Sequence, residues 1–139
     1  MEEVEAARVI VDTDVLIDLL RGVKSIVGAI RDLESRGCLL ATTVVNAFEL
    51  FYGACKSRSR ERNVASVKRL LGRLKILSLG LKSALRASII HAELEAQGRP
   101  IGLRDVLIAA IALTRGYGIV TKNVKHFERI KELMLIPLS

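Results

Sequence analysis

Short aliphatic runs alternate with longer stretches of helical spacing along this chain. Arg8 to Val11 is a β-branched run and predicts a buried strand. Thr13 or Asp14 is placed to cap a helix from Val15 to about Leu20, closed by Gly22. Lys24 to Arg36 carries Ile26, Val27, Ile30 and Leu33 at helical spacing and stops at Gly37. Cys38 to Ala41 reads as a second strand with Cys38 buried. Thr42 or Thr43 then caps a helix running through Glu49 to about Ala54. Lys56 to Arg60 is polar and predicts a loop. Glu61 to Leu71 is helical, with Val64, Val67, Leu70 and Leu71 on one face, and Lys75 to Leu79 is a third strand. Gly80 to Gln97 predicts a long helix with Leu81, Leu85, Ile89 and Leu94 on one side, broken by Gly98-Arg99-Pro100. Arg104 to Arg115 is apolar on nearly every side and should lie at the centre. Ile119 to Thr121 is a fourth strand, and Leu133 to Leu138 is a candidate edge strand.

Strands alternating with helices imply an α/β fold, a parallel sheet of four to five strands covered by helices on both faces. With 139 residues, positions 1–139 are expected to form one domain. Aromatics make up only 4% of the chain and there is no Trp, so the core must be aliphatic. Cys38 and Cys55 lack zinc-type spacing and are expected to be reduced thiols in a cytoplasm. The stretch Met1-Glu2-Glu3-Val4-Glu5 is acidic where a secretory signal would be basic, and no apolar run approaches a membrane span. The net charge of +7 favours polyanionic partners, nucleic acid above all.

Three acids stand in apolar surroundings: Asp12 at the end of Val9-Ile10-Val11, Glu49 within Ala47-Phe48-Glu49-Leu50-Phe51, and Asp105 ahead of Val106-Leu107-Ile108. Carboxylates are rarely placed so unless they are paired, cap a helix or hold a metal. In an open parallel sheet, ligands bind outside the carboxyl ends of the strands. Asp12 ends the first strand there, and Thr121 and Asn123 end the fourth. Gathered around one crevice, the three acids would suit a hard cation such as Mg²⁺ and a phosphodiester substrate. Plainer readings compete. Asp105 and Asp14 suit helix N-termini, Glu49 suits a wet side of its helix although it is the hardest to dismiss, and Asp18 is a solvated helix position or a partner for Arg21.

The stretch Val11-Asp12-Thr13-Asp14-Val15-Leu16-Ile17-Asp18-Leu19-Leu20-Arg21-Gly22 resembles the opening of PIN-domain ribonucleases of the VapC toxin type. Thr43 to Gly53 is similar to their second acidic motif, Arg99 to Ala110 to the third, and Val120 to Ile130 to the terminal one. The ordered set spans nearly the whole chain. The resemblance implies a PIN-like domain and metal-dependent endonucleolytic cleavage of RNA with Mg²⁺ or Mn²⁺. It carries the catalytic and metal-ligating roles onto Asp12, Glu49 and Asp105, with Thr13, Thr121 and His126 as accessory residues. The family often has a fourth Asp, at the place of Asn123 or of His126. Neither is a carboxylate here, and three carboxylates suffice for one Mg²⁺; Asn123 or Asp14 are the candidate further ligands. The resemblance also implies a homodimer and a VapB-like antitoxin whose C-terminal segment covers the site. Ile17, Leu20 and Ile26 are candidates for such contacts.

From Lys56 to Lys75 the chain carries eight basic residues against the single acid Glu61. Arg58, Arg60 and Arg62 are its candidate RNA-binding residues, a phosphate-binding rim beside an acidic pocket; a solvated helix face is the plainer reading. Few aromatics are available to stack on bases. Three functions therefore compete: a toxin RNase with an antitoxin, a PIN-fold RNA-processing nuclease without one, and a catalytically silent PIN-like binding module, which the missing fourth acid favours.

Overall fold

The computed structural model describes residues 7–138; the acidic stretch Met1 to Glu5 lies outside the described residues. Four strands, β1 (Arg8–Val11), β2 (Leu39–Thr43), β3 (Lys75–Leu77) and β4 (Gly118–Val120), form one parallel sheet in the order β3-β2-β1-β4. Val9, Ile10 and Val11 are fully buried. Side chains alternate between the two faces of a strand. Ile10 accordingly joins one core with Ala41, Leu77 and Ile119, while Val9 and Val11 join the other with Val120. Burial on both faces is why β1 reads as a continuous apolar run.

One face carries α1 (Thr13–Leu20), α2 (Lys24–Ser35), α3 (Val44–Lys56) and α4 (Arg60–Leu71). The other carries α5 (Leu81–Ala96) and α6 (Leu103–Arg115), with the short α7 (Val124–Phe127) after β4. The expected centrality of α6 holds: Val106, Ile108, Ala109, Ala110, Ile111 and Ala112 are all fully buried. Gly116 ends that helix in the left-handed region at φ 76°, where a side chain would be strained. Gly118 starts β4 under the 134–136 segment, and a Cβ there would meet Ile136 Cδ1 at 2.7 Å.

Several details depart from the sequence pattern. Helix α1 starts two residues early, and its cap is Asp12, whose carboxylate accepts from Thr13 N, rather than Thr13 or Asp14. Cys38 is half-buried and precedes β2. Its N–H instead bonds Leu33 O while Gly37 N–H bonds Glu34 O, which closes α2 in a Schellman motif. The line Leu81, Leu85 and Ile89 on α5 is exposed, 89% in the case of Leu81. The buried line is Ser83, Ala87, Ile90 and Leu94, because small residues let α5 come close to the Ala-rich α6. The Ser83 and Thr114 hydroxyls share a hydrogen bond of 2.7 Å across that contact. Leu133 to Leu138 adds only an isolated parallel bridge, Ile119 to Leu135. Ile26 is buried in the core, which removes it from the interface candidates. Asp18 pairs with Lys122 and not with Arg21. Among the described residues no helix is long and apolar enough to cross a membrane.

Candidate active site

The strand order places β4 on one side of β1 and β2 on the other. The chain therefore reverses direction across the sheet at the β1–β4 junction, and a crevice opens at their carboxyl ends. Asp12 N–H donates to Val120 O at 2.9 Å, which fixes the residue after β1 against the end of β4. The Asp12 side chain is 1% exposed. Its Oδ1 accepts from Thr13 N, from Asn46 Nδ2 at 2.9 Å and from an Arg104 terminal nitrogen at 2.7 Å. Its Oδ2 accepts from the Thr121 hydroxyl at 2.6 Å. A buried carboxylate with every oxygen served this way has little freedom to turn.

Glu49 arrives from α3. The cap of that helix is Thr43, as expected, and it forms a reciprocal box with Asn46. The box leaves the Asn46 amide nitrogen free to donate to Asp12 Oδ1 and to Thr13 Oγ1, so α3 is tied directly to the end of β1. Phe48 is 67% exposed, so this helix is not packed all round and Glu49 lies at the edge of its wet side. The Thr13 hydroxyl donates to Glu49 Oε1 at 2.6 Å. Asp105 arrives from the first turn of α6 and is buried. Its Oδ2 faces His126 Nδ1 at 2.7 Å and Asn123 Nδ2 at 3.3 Å, and these two side chains are themselves 3.0 Å apart. Both alternatives for the fourth family position thus turn toward the same oxygen of Asp105.

Asp12, Glu49 and Asp105 come together around one cation, the guanidinium of Arg104. Its Nε donates to Glu49 Oε2 at 2.8 Å, one terminal nitrogen to Glu49 Oε1 and Asp12 Oδ1, and the other to Asp105 Oδ1. Burial alone would raise the Glu49 carboxyl, but the hydrogen bonds from Arg104 and Thr13 outweigh it and hold the group below the usual carboxylate range. Burial would likewise lower Arg104, yet its bonds to Glu49 and Asp12 push it above its ordinary value. Asp14 differs. Burial, together with the Asp12 charge, raises its carboxyl, and its oxygens accept from Val15 N and Lys122 N. It ties the exit of β4 to α1 and, among the described residues, makes no ion pair with Arg104.

Asn46 and Arg104 belong to the site without being evident from the sequence. The one signal for Asn46 is the Thr43-x-x-Asn46 spacing of a capping box. Arg104 carries none beyond being a basic residue beside Asp105. Arg58, Arg60 and Arg62 are all exposed, around the start of α4, and make no side-chain hydrogen bond to the acids.

The donors at this site are hard carboxylate oxygens with the Thr13 and Thr121 hydroxyls beside them, a set that suits Mg²⁺ or Mn²⁺. The pocket already gathers three carboxylates on one positive group, leaving a formal excess of two negative charges. By that chemistry the residues fit a divalent cation. Among the described residues no three acid, His or Cys side chains close on a single point as a ready metal cage, since Arg104 stands between them.

The chain matches the model of the PIN domain over residues 9–133. It is 42% identical over 96 residues to a tRNA(fMet)-specific endonuclease VapC of Salmonella typhimurium, covering 69% of this chain and 70% of that protein. It is 38% identical over 120 residues to ribonuclease VapC2 of Haemophilus influenzae, covering 86% and 89%. The structure of DNA-bound VapBC from Salmonella typhimurium superposes with a TM-score of 0.85 at 31% identity, covering 96% of this chain and 99% of that one. With the acids at the β1–β4 crevice and these likenesses along nearly its whole length, the chain belongs to the PIN-domain family, among its VapC-type ribonucleases.

Proposed function

We propose that this protein is a Mg²⁺- or Mn²⁺-dependent endoribonuclease, the toxin of a VapBC-type toxin–antitoxin pair acting in the cytoplasm. The convergence of Asp12, Glu49 and Asp105 on one positive centre carries the reading. These three are the metal-ligating and catalytic set. A divalent cation held there supplies Lewis acidity and charge neutralisation at the scissile phosphate. Thr121 and Asn46 fix the Asp12 carboxylate from two sides, and Thr13 orients Glu49. His126 and Asn123 hold the outer oxygen of Asp105. Such outer partners set ligand orientation and basicity. The chain's net charge of +7 favours RNA approach, with Arg58, Arg60 and Arg62 as candidate phosphate contacts.

An antitoxin partner is supported by a cleft of about 390 Å³ lined by Ile17, Leu20, Leu50, Ala54 and Val67, with Glu49 among its walls. An apolar segment laid there would end at the acids. A homodimer is supported only by exposed apolar side chains such as Leu81 and Leu85. Cleavage of labelled RNA by the purified chain, with Mg²⁺ and with EDTA, tests the central reading. Cleavage only with the metal is expected; equal cleavage in both, by a preparation shown free of metal and of contaminating nuclease, would overturn it.

A further inference from the structure

Arg104 takes up four of the six carboxylate oxygens of the cluster, among them both oxygens of Glu49. A divalent cation shared by all three acids needs oxygens on the same side. It would stand within a few ångströms of the guanidinium, where like charges repel strongly at reduced dielectric. The Arg104 side chain is one-third exposed and springs from the first turn of α6 at the mouth of the crevice. It can leave for solvent by side-chain rotation, whereas Asp12 and Asp105 are buried and held by fixed donors. The mobile member of the cluster is therefore the cation, not the acids.

We propose that Arg104 is a resident counter-ion of the acid cluster that the divalent metal must displace, so that metal binding and the release of Arg104 are a single exchange. This rests on the reading that the cluster is a metal site. Arg104 keeps the metal-free chain stable by neutralising acids that would otherwise repel one another. It lowers the affinity for metal by competing for the same oxygens. It is a positioning residue, since its effect passes through the three acids.

Three measurements test the exchange. Mn²⁺ is titrated calorimetrically into the wild type and Arg104→Gln, thermal unfolding of both is followed in EDTA, and the Arg104 Nε–H resonance is followed in ¹⁵N-arginine-labelled wild type as Mg²⁺ is added. The glutamine variant should bind Mn²⁺ about tenfold more tightly, an effect of one competing ion pair, and should melt several degrees lower in EDTA. The Nε–H signal, identified by its disappearance in the variant, should move on Mg²⁺ saturation to the position of a solvent-exposed arginine. Binding of Mn²⁺ to both proteins with equal affinity, or an Nε–H signal unmoved at saturation, overturns the exchange and leaves the metal site standing. Absence of Mn²⁺ binding in both overturns the metal reading and the exchange with it. If Arg104→Gln does not fold, Arg104→Lys and the wild-type resonance give the same decision.

Discussion

The acid cluster and the basic corner at the start of α4 carry charge in opposite ways. At the cluster, Asp12 is 1% and Asp105 4% exposed in their side chains, and each of their oxygens meets a side-chain partner. At the corner, Arg58, Arg60 and Arg62 stand in solvent. Charges of the first kind have fixed geometry and small tolerance for change. Charges of the second kind act through a field that salt screens within about 8 Å at physiological ionic strength. The difference separates chemistry from attraction. Under the proposed function, the cluster would decide whether RNA is cut, and the corner would help decide how often RNA is there.

The sharpest break of this contrast is Asp12→Asn. The retained oxygen still accepts from Thr13, Asn46 and Arg104, and the new amide can donate to the Thr121 hydroxyl, so the variant is expected to fold. The charge is gone. Cleavage should fall by more than the roughly 10–100-fold that follows removal of a residue merely supporting a ligand. Single-turnover cleavage with circular dichroism on the same sample checks it. Wild-type rates from a folded variant would remove Asp12 from the chemistry.

Next in size is Thr121→Val, which removes the donor to Asp12 Oδ2 at nearly constant volume. One oxygen of a buried carboxylate is left without its partner while every charge stays. A drop of roughly tenfold in Mn²⁺ affinity or cleavage is expected. Calorimetric affinities equal to wild type would show that the other three donors suffice to hold Asp12.

These two positions also show what a sequence can reveal. Asp12 stands out because a carboxylate directly after a buried β-branched run has few explanations, and the crevice at β1 follows from parallel-sheet topology. The convergence of Glu49 and Asp105 on it depends on how α3 and α6 enter the sheet, and only the family resemblance supplies that. Arg104 is illegible in the sequence. Two of its three acid partners lie 92 and 55 residues away in the chain, and a basic residue on a helix N-terminus usually faces water. Helix α5 departs from its apparent periodicity for a related reason. It has two apolar lines, and the choice between them is made by the close approach of α6, which periodicity does not contain. The buried strands and α6 are legible because burial on all sides leaves the same mark whatever the partner.

A smaller effect is expected at the basic corner. Replacing Arg58, Arg60 and Arg62 together with Gln should weaken RNA binding without altering the rate of cleavage at saturating RNA. The salt dependence should flatten by roughly 0.7 in log–log slope for each single-strand phosphate no longer neutralised. Fluorescence anisotropy across a salt series measures it. An unchanged slope would make the corner an ordinary solvated surface and move attraction to the other basic residues of α4 and beyond.

The smallest expected effect lies at the border between the two regions, at Asn123 and His126. Both side chains face Asp105 Oδ2, and they face each other. A carboxylate at either position would stand beside an existing one and draw a cation more strongly, but it would also take away a donor that now steadies Asp105. At position 123 the hydrogen bond given up is the longer one, 3.3 Å against 2.7 Å for the histidine. Asn123→Asp should therefore tighten Mn²⁺ by a few-fold, while His126→Asp should leave it nearly unchanged as the two effects offset. Calorimetric titration of both variants beside the wild type orders them. Tightening at His126→Asp alone would place the further oxygen site on the helix α7 side of Asp105. Weakening in both would mean that steadying Asp105 matters more than adding charge around it.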